Sequence, residues 1–186
     1  MRKLAVFNFV SLNGFFAGAN GDLSWHKNQP EDKEKDDFGQ AGVASDCLTI
    51  FGRKTYQMMA GFWPTIGMQV DPVMAEGMNK AEKIVFSKTL DKAEWNNTWL
   101  IKDDMIAAIK NLKQQHGKDM IILGSGTIVT QLAEAGLIDE FQFMIDPVAL
   151  SQGTPIFSGI KQNLELRLVD HKVFKSGVLV LTYKPA

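Results

Sequence analysis

The chain has 186 residues, 45% of them hydrophobic, and a single cysteine, Cys47. That length suits one domain over residues 1–186, the apolar content excludes intrinsic disorder, and one cysteine excludes an intramolecular disulfide and a multi-cysteine metal site. Lys and Arg total 20 against 21 Asp and Glu, a formal net charge of −1, which argues against a protein that grips nucleic acid through a basic excess.

Met1-Arg2-Lys3 and then Leu4–Val10 start basic and turn apolar. Asn8 interrupts the run and Ser11-Leu12-Asn13-Gly14 ends it, so a first strand fits better than the apolar core of a signal peptide. No stretch approaches the roughly 18 apolar residues of a membrane span, and the cytoplasm is the expected compartment. Ser11 to Trp25 reads as a long irregular segment holding Gly14, Gly18 and Gly21 with Phe15, Phe16 and Trp25. It is either a lid able to cover a ring or a surface loop whose aromatics pack. Residues 26–37 are polar and charged, the pattern of a solvated helix face; Pro30 suits a first helical turn and the acids after it suit the positive end of the dipole.

Five short apolar runs read as buried strands: Leu4–Val10, Cys47–Phe51, Lys83–Phe86, Met120–Leu123 and Phe141–Ile145. Helical patterns lie between them. Asp103 is placed to cap a helix with Met105, Ile106, Ile109 and Leu112 on one face and Gly117 at its end; Thr127 opens another with Ile128, Val129 and Leu132 inward and Gly136 as its stop. Leu164, Leu166 and Leu168 then alternate with polar residues, Lys175-Ser176-Gly177 makes a turn, and Val178–Tyr183 returns. The expectation is an α/β fold whose mixed, mainly parallel sheet ends in an antiparallel hairpin. In such sheets ligands bind beyond the carboxyl ends of the parallel strands.

Three strand ends carry matching chemistry. Gly52-Arg53-Lys54-Thr55 offers a close backbone approach, two cations and a helix start, the makings of an anion site. An ordinary strand-to-helix turn reads the same way. Ser87-Lys88 repeats a hydroxyl and a cation just past the next strand. Gly124-Ser125-Gly126-Thr127 leads into a helix, but Val129 occupies the third position of a G-x-G-x-x-G fingerprint. Asp146 lies about the right distance onward for a ribose contact. A hairpin follows, however, and not a second mononucleotide half, so a Rossmann fold is rejected and a glycine-lined diphosphate turn is retained.

In order along the chain stand Ser-Leu-Asn-Gly-Phe-Phe-Ala (11–17) with Gly21-Asp22-Leu23-Ser24-Trp25, then Ile50 to Tyr56, Val85 to Lys88, Ile122 to Gly126, and Asp146-Pro147-Val148 with Gly153 to Phe157. Together they resemble the dihydrofolate reductase superfamily, most closely stand-alone proteins related to the reductase domain of riboflavin biosynthesis (the RibD C-terminal domain). The resemblance implies a three-layer fold and an NADPH-dependent reductase of a small heterocyclic or carbonyl substrate. It puts Ala17 beside the nicotinamide and phosphates on Gly52, Arg53, Lys54 and Thr55. Ser87 and Lys88 would take the adenosine 2′-phosphate end, and Gly124, Ser125, Gly126 and Thr127 the diphosphate. Cations at these corners favour NADPH over NADH, whose ribose is usually read by an acid. A homodimer fits the resemblance, and the three scattered histidines suggest no metal site.

In dihydrofolate reductases an acid on the first helix assists protonation. Here Asp32, Glu34, Asp36 and Asp37 all follow Pro30, with Asp32 and Asp37 the candidates and no unique match among them. The zinc motif of the deaminase fused to the riboflavin-pathway reductase does not occur in these 186 residues. A chain that kept the cofactor site but lost the chemistry, an NADPH-binding sensor, is the alternative.

Overall fold

A computed structural model describes residues 1–27 and 31–186; Pro30, expected in a first helical turn, lies outside them. Strands β1 (Leu4–Ser11), β3 (Leu48–Gly52), β4 (Lys83–Phe86), β5 (Thr98–Ile101), β6 (Met120–Leu123), β7 (Glu140–Asp146), β9 (Leu166–Val173) and β10 (Leu179–Pro185) form one sheet in the order β5-β4-β3-β6-β1-β7-β10-β9. The first six in that order run parallel. β10 pairs antiparallel with both β7 and β9. A mixed, mainly parallel sheet with a C-terminal hairpin is therefore what these residues build. β2 (Phe15–Gly18) and β8 (Gly153–Pro155) make a separate antiparallel ribbon.

Helices cover both faces because alternate strand residues are apolar on both sides. Leu4, Val6, Ile50, Ile84, Ile122 and Phe141 pack under α6 (Met105–Gln114) and α7 (Gly126–Glu134), through Ile109, Ile128, Val129 and Leu132. On the opposite face Phe51 and Val85 meet Tyr56 of α3 (Arg53–Phe62) and Met78 of α5 (Pro72–Lys80), with Trp95. Further along that face Met144, Phe174, Val178 and Val180 receive Phe7, Phe9 and Phe38 of α2 (Lys33–Ala44). Two short helices, α1 (Ser24–Lys27) and α4 (Gly67–Val70), complete the set of three layers.

The structure moves several expected boundaries. Cys47 precedes β3 and is half-buried, not a strand residue. α6 is capped by Asp104, whose carboxylate accepts from the Ala107 N–H at 2.9 Å, not by Asp103. Its last residue is Gln114, one turn short of Gly117, because Gln115 already takes extended backbone. α7 begins one residue early, at Gly126, and stops before Gly136, which has φ +65°. β5 and β8 carry no periodic apolar signal in their four and three residues, which is why sequence pattern missed them.

The segment from Ser11 to Trp25 is strapped down, not irregular throughout. The Leu12 N–H donates to the Val148 carbonyl at 2.8 Å, the Ile156 N–H to the Gly14 carbonyl at 3.1 Å, and β2 pairs with β8 between them. A Cβ at Gly153 would stand 2.3 Å from the Ala17 carbonyl oxygen, so the ribbon closes only around a glycine. Trp25 is buried, and its indole N–H donates to the Asp22 carbonyl at 3.0 Å.

Asp32 anchors the hairpin to α2. One carboxylate oxygen accepts from the Lys35 N–H at the helix N-terminus, and the other accepts from the Ser176 N–H at 2.8 Å. These bonds, Ser176's first, hold the carboxyl below the usual carboxylate range. A depressed carboxylate contributes stability above its unfolded pKa of about 4 and loses it as the pH falls through the lower folded value. Asp32→Asn keeps an acceptor at the cap without the titration. Its urea midpoint, followed as the pH is stepped down from about 4, should therefore fall less steeply than the wild type's; equal slopes would refute the assignment. Gly153→Ala should lower the thermal midpoint by forcing β2 off β8, with circular dichroism as the measure.

Candidate functional site

Strand ends and helix starts of the parallel sheet meet along one edge. α3 leaves β3 directly, with Gly52 as N-cap, and α7 leaves β6 through Gly124 and the N-cap Ser125. Neither first turn has a side-chain cap or an acid. By contrast α2, α5 and α6 are each capped by an aspartate: Asp32, Asp71 and Asp104. The first N–H groups of a helix have no partner inside it, and the aligned peptide dipoles make that end positive. Two such ends left without a carboxylate are suited to an anion.

Ser125 joins the two starts. Its Oγ accepts from the Gly52 N–H at 2.8 Å and donates to Thr55 Oγ1 at 2.9 Å. Ser125 itself is held in the left-handed region, at φ 61°. Gly124 has φ +63°, and a Cβ there would stand 3.0 Å from Thr55 Cγ2; one at Gly52 would stand 3.0 Å from Ser125 Oγ. Glycine is what lets the corners touch. β2 closes the same place from above, since a Cβ at Gly126 would stand 2.9 Å from the ring of Phe16.

All eleven residues expected at a dinucleotide line one cleft: Ala17, Gly52, Arg53, Lys54, Thr55, Ser87, Lys88, Gly124, Ser125, Gly126 and Thr127. Ser87 Oγ accepts from the Thr89 and Leu90 N–H groups at 3.2 and 2.9 Å, which shapes the turn that carries Lys88. A further cation, Lys102, follows β5 into the cleft. It escaped sequence reasoning because its strand did. Among the described residues none of Arg53, Lys54, Lys88 and Lys102 is ion-paired, whereas Lys33, Lys80, Lys118 and Lys172 are.

The two candidate acids are elsewhere. Neither Asp32 nor Asp37 lines the cleft. Asp32 is committed to Lys35 and Ser176, and Asp37 is exposed, bonded to Lys33 Nζ at 2.6 Å. Asp146 is not open to a ribose; it is fully buried, and its Oδ2 lies 2.8 Å from His26 Nδ1. His26 stacks on Phe9 with ring centroids 3.7 Å apart and lines the cleft. The pair spans 120 positions, so no spacing could have announced it. Asn8 also lines the cleft, with a buried Oδ1 that has no partner among the described residues. Its only trace in the sequence is that it interrupts an apolar strand. Among the described residues no group of three or more His, Cys, Asp or Glu could hold a metal ion, and no helix is long and apolar enough to cross a membrane.

The model of the RibD C-terminal domain family matches residues 2–180. The uncharacterized protein YyaP of Bacillus subtilis (strain 168) is 29% identical over 184 residues, 98% of this chain and 94% of that one. A Shewanella sp. PV-4 protein named for riboflavin biosynthesis superposes with a TM-score of 0.78 at 22% identity, covering 99% of both chains. Dihydrofolate reductase from Enterococcus faecalis, complexed with NADP(H), superposes with a TM-score of 0.64 at 16% identity over 98% of this chain and 96% of its own. Both superpositions report a shared fold.

Removing the Ser125 hydroxyl strips the Gly52 N–H of its acceptor. Ser125→Ala should cost about 1 kcal/mol in chemical denaturation, the scale of one lost hydrogen bond at a half-buried site. Ser125→Gly should cost less, because glycine relieves the left-handed backbone.

Proposed function

This chain belongs to the RibD C-terminal domain family, and from that premise we propose that it is an NADPH-dependent reductase of a small heterocyclic substrate, of the 5-amino-6-(5-phosphoribosylamino)uracil reductase or dihydrofolate reductase type. The family and fold are those of reductases. One observation carries the cofactor assignment: two uncapped helix starts, locked together by Ser125 and flanked by cations with no ion pair among the described residues, line the same cleft.

The residues fit a phosphorylated dinucleotide. Free N–H groups at the starts of α3 and α7 suit phosphate oxygens, and the glycines at 52, 124 and 126 leave the backbone uncovered. Gly124 to Thr127 would hold the diphosphate, and Gly52, Arg53, Lys54 and Thr55 would complete the phosphate cradle. Ser87, with a hydroxyl hydrogen not used in its turn, and Lys88 would hold the 2′-phosphate. Ala17, fixed in the β2–β8 ribbon, would border the nicotinamide. When bound, NADPH supplies the hydride. The protein binds, orients and screens the reacting groups from water.

Fluorescence titration should give micromolar NADPH binding and weaker NADH binding. Arg53→Ala and Lys88→Ala should each weaken NADPH by about tenfold or more, the scale of a lost charge-assisted hydrogen bond, with a smaller effect on NADH. Binding of neither dinucleotide would refute the reading. NADPH oxidation across pterins, pyrimidines and carbonyl compounds separates a reductase, which turns over at least one, from a sensor, which turns over none.

A further inference from the structure

Reduction of a C=N or C=O bond needs a proton for the heteroatom as well as a hydride for the carbon. The acids of α2 do not reach the cleft, and of the four carboxylates that line it Asp103 is exposed just past the edge strand β5, four strands from β1, and the other three are engaged. Asp22 accepts from the Ser24 N–H and hydroxyl, Asp71 from the Met74 N–H, and Asp104 from the Ala107 N–H. The cleft's one histidine among the described residues stands differently. His26 keeps 22% of its side chain exposed, and its Nε2 has no partner among the described residues.

What holds the ring is buried. Asp146 is at 0% exposure at the end of β7, in register with Ser11 at the end of β1. Its Oδ2 takes Nδ1 at 2.8 Å, and its Oδ1 has no partner among the described residues. Phe9, two residues before Ser11 on β1, stacks on the imidazole at an interplanar angle of 23°. Two central strands thus fix the ring's tilt and position. The carboxylate selects the Nδ1–H tautomer, leaving Nε2 as the nitrogen that gains and loses a proton. The loop that carries Ala17 also carries His26, through the Gly18 N–H to Asp22 carbonyl bond at 2.8 Å and the short α1.

We propose that His26 is the proton donor of the reduction and that Asp146 is the residue that positions it. The proposal rests on the reductase reading above. The substrate carbon accepts the hydride pair, the π pair of the C=N or C=O bond moves onto the heteroatom, and that atom takes the proton from His26 Nε2. The imidazolium becomes a neutral imidazole, still donating Nδ1–H to Asp146, and is reprotonated from water. The dihydronicotinamide of NADPH is the reductant, and it leaves as NADP⁺.

Two measurements test this. Histidine ¹⁵N spectra of the protein without cofactor should show neutral His26 protonated at Nδ1; protonation at Nε2 would overturn the proposal whatever the activity. Kinetics with NADPH and either 7,8-dihydrofolate or 5-amino-6-(5-phosphoribosylamino)uracil should show His26→Gln lowering kcat by about 10²–10⁴-fold, with the NADPH Kd within about twofold of wild type. Added imidazole should restore part of the kcat of His26→Ala. Asp146→Asn should lower kcat more than it raises KM. Full kcat in His26→Gln would overturn the donor and leave the reductase reading standing. A wild type that binds NADPH but reduces neither compound would overturn the proposal together with the reductase reading for that substrate class.

Discussion

A single hydroxyl holds the cleft in shape. Ser125 Oγ accepts from the first corner's Gly52 N–H and donates to Thr55, so the starts of α3 and α7 are one surface and not two neighbouring turns. The bond needs adjacent strands to bring it about, and β3 and β6 are paired. It also needs glycine at 52 and 124, where any side chain would press on Ser125 or Thr55. Ser125 sits in the left-handed region to reach both partners, a conformation that costs a non-glycine residue energy and persists only where its surroundings enforce it. Here those surroundings are the two corners it joins.

Charge is distributed in keeping with that geometry. The chain is nearly neutral as a whole, yet Arg53, Lys54, Lys88 and Lys102, none ion-paired among the described residues, collect at the carboxyl edge of the sheet. Of the acids at residues 31–37, Asp32 caps α2, Asp36 and Asp37 pair with Lys35 and Lys33, and Glu34 pairs with Lys172 of β9, while Asp71 and Asp104 cap the starts of α5 and α6. Only the two helix starts that Ser125 joins are left without an acid at the cleft among these five. The positive charge there is thus local, built from peptide dipoles as well as from side chains.

Much of this is legible in the residues, for a physical reason. Central strands such as Met120–Leu123 are continuous apolar runs because both faces are covered, and the glycine- and cation-bearing corners follow them directly in the chain. What sequence could not show depends on contacts between distant segments. β2 and β8 are short and exist only by pairing with each other. β5 is a half-exposed edge strand, so Lys102 behind it went unread. Asp146 looked like a ribose ligand by its distance from Gly126, but folding turns it inward onto His26. The resemblance offers Asp32 as a proton donor, yet both of its oxygens are taken by backbone N–H groups.

The joined corners of α3 and α7 are the proposed phosphate cradle. Amide ¹H–¹⁵N spectra recorded as NADPH is added test this at the atoms concerned. The predicted result is that the largest shifts fall on Arg53, Lys54, Gly126 and Thr127, with Gly52 and Ser125 moving alongside them. Unmoved amides at both helix starts, with NADPH bound elsewhere or not at all, would contradict it.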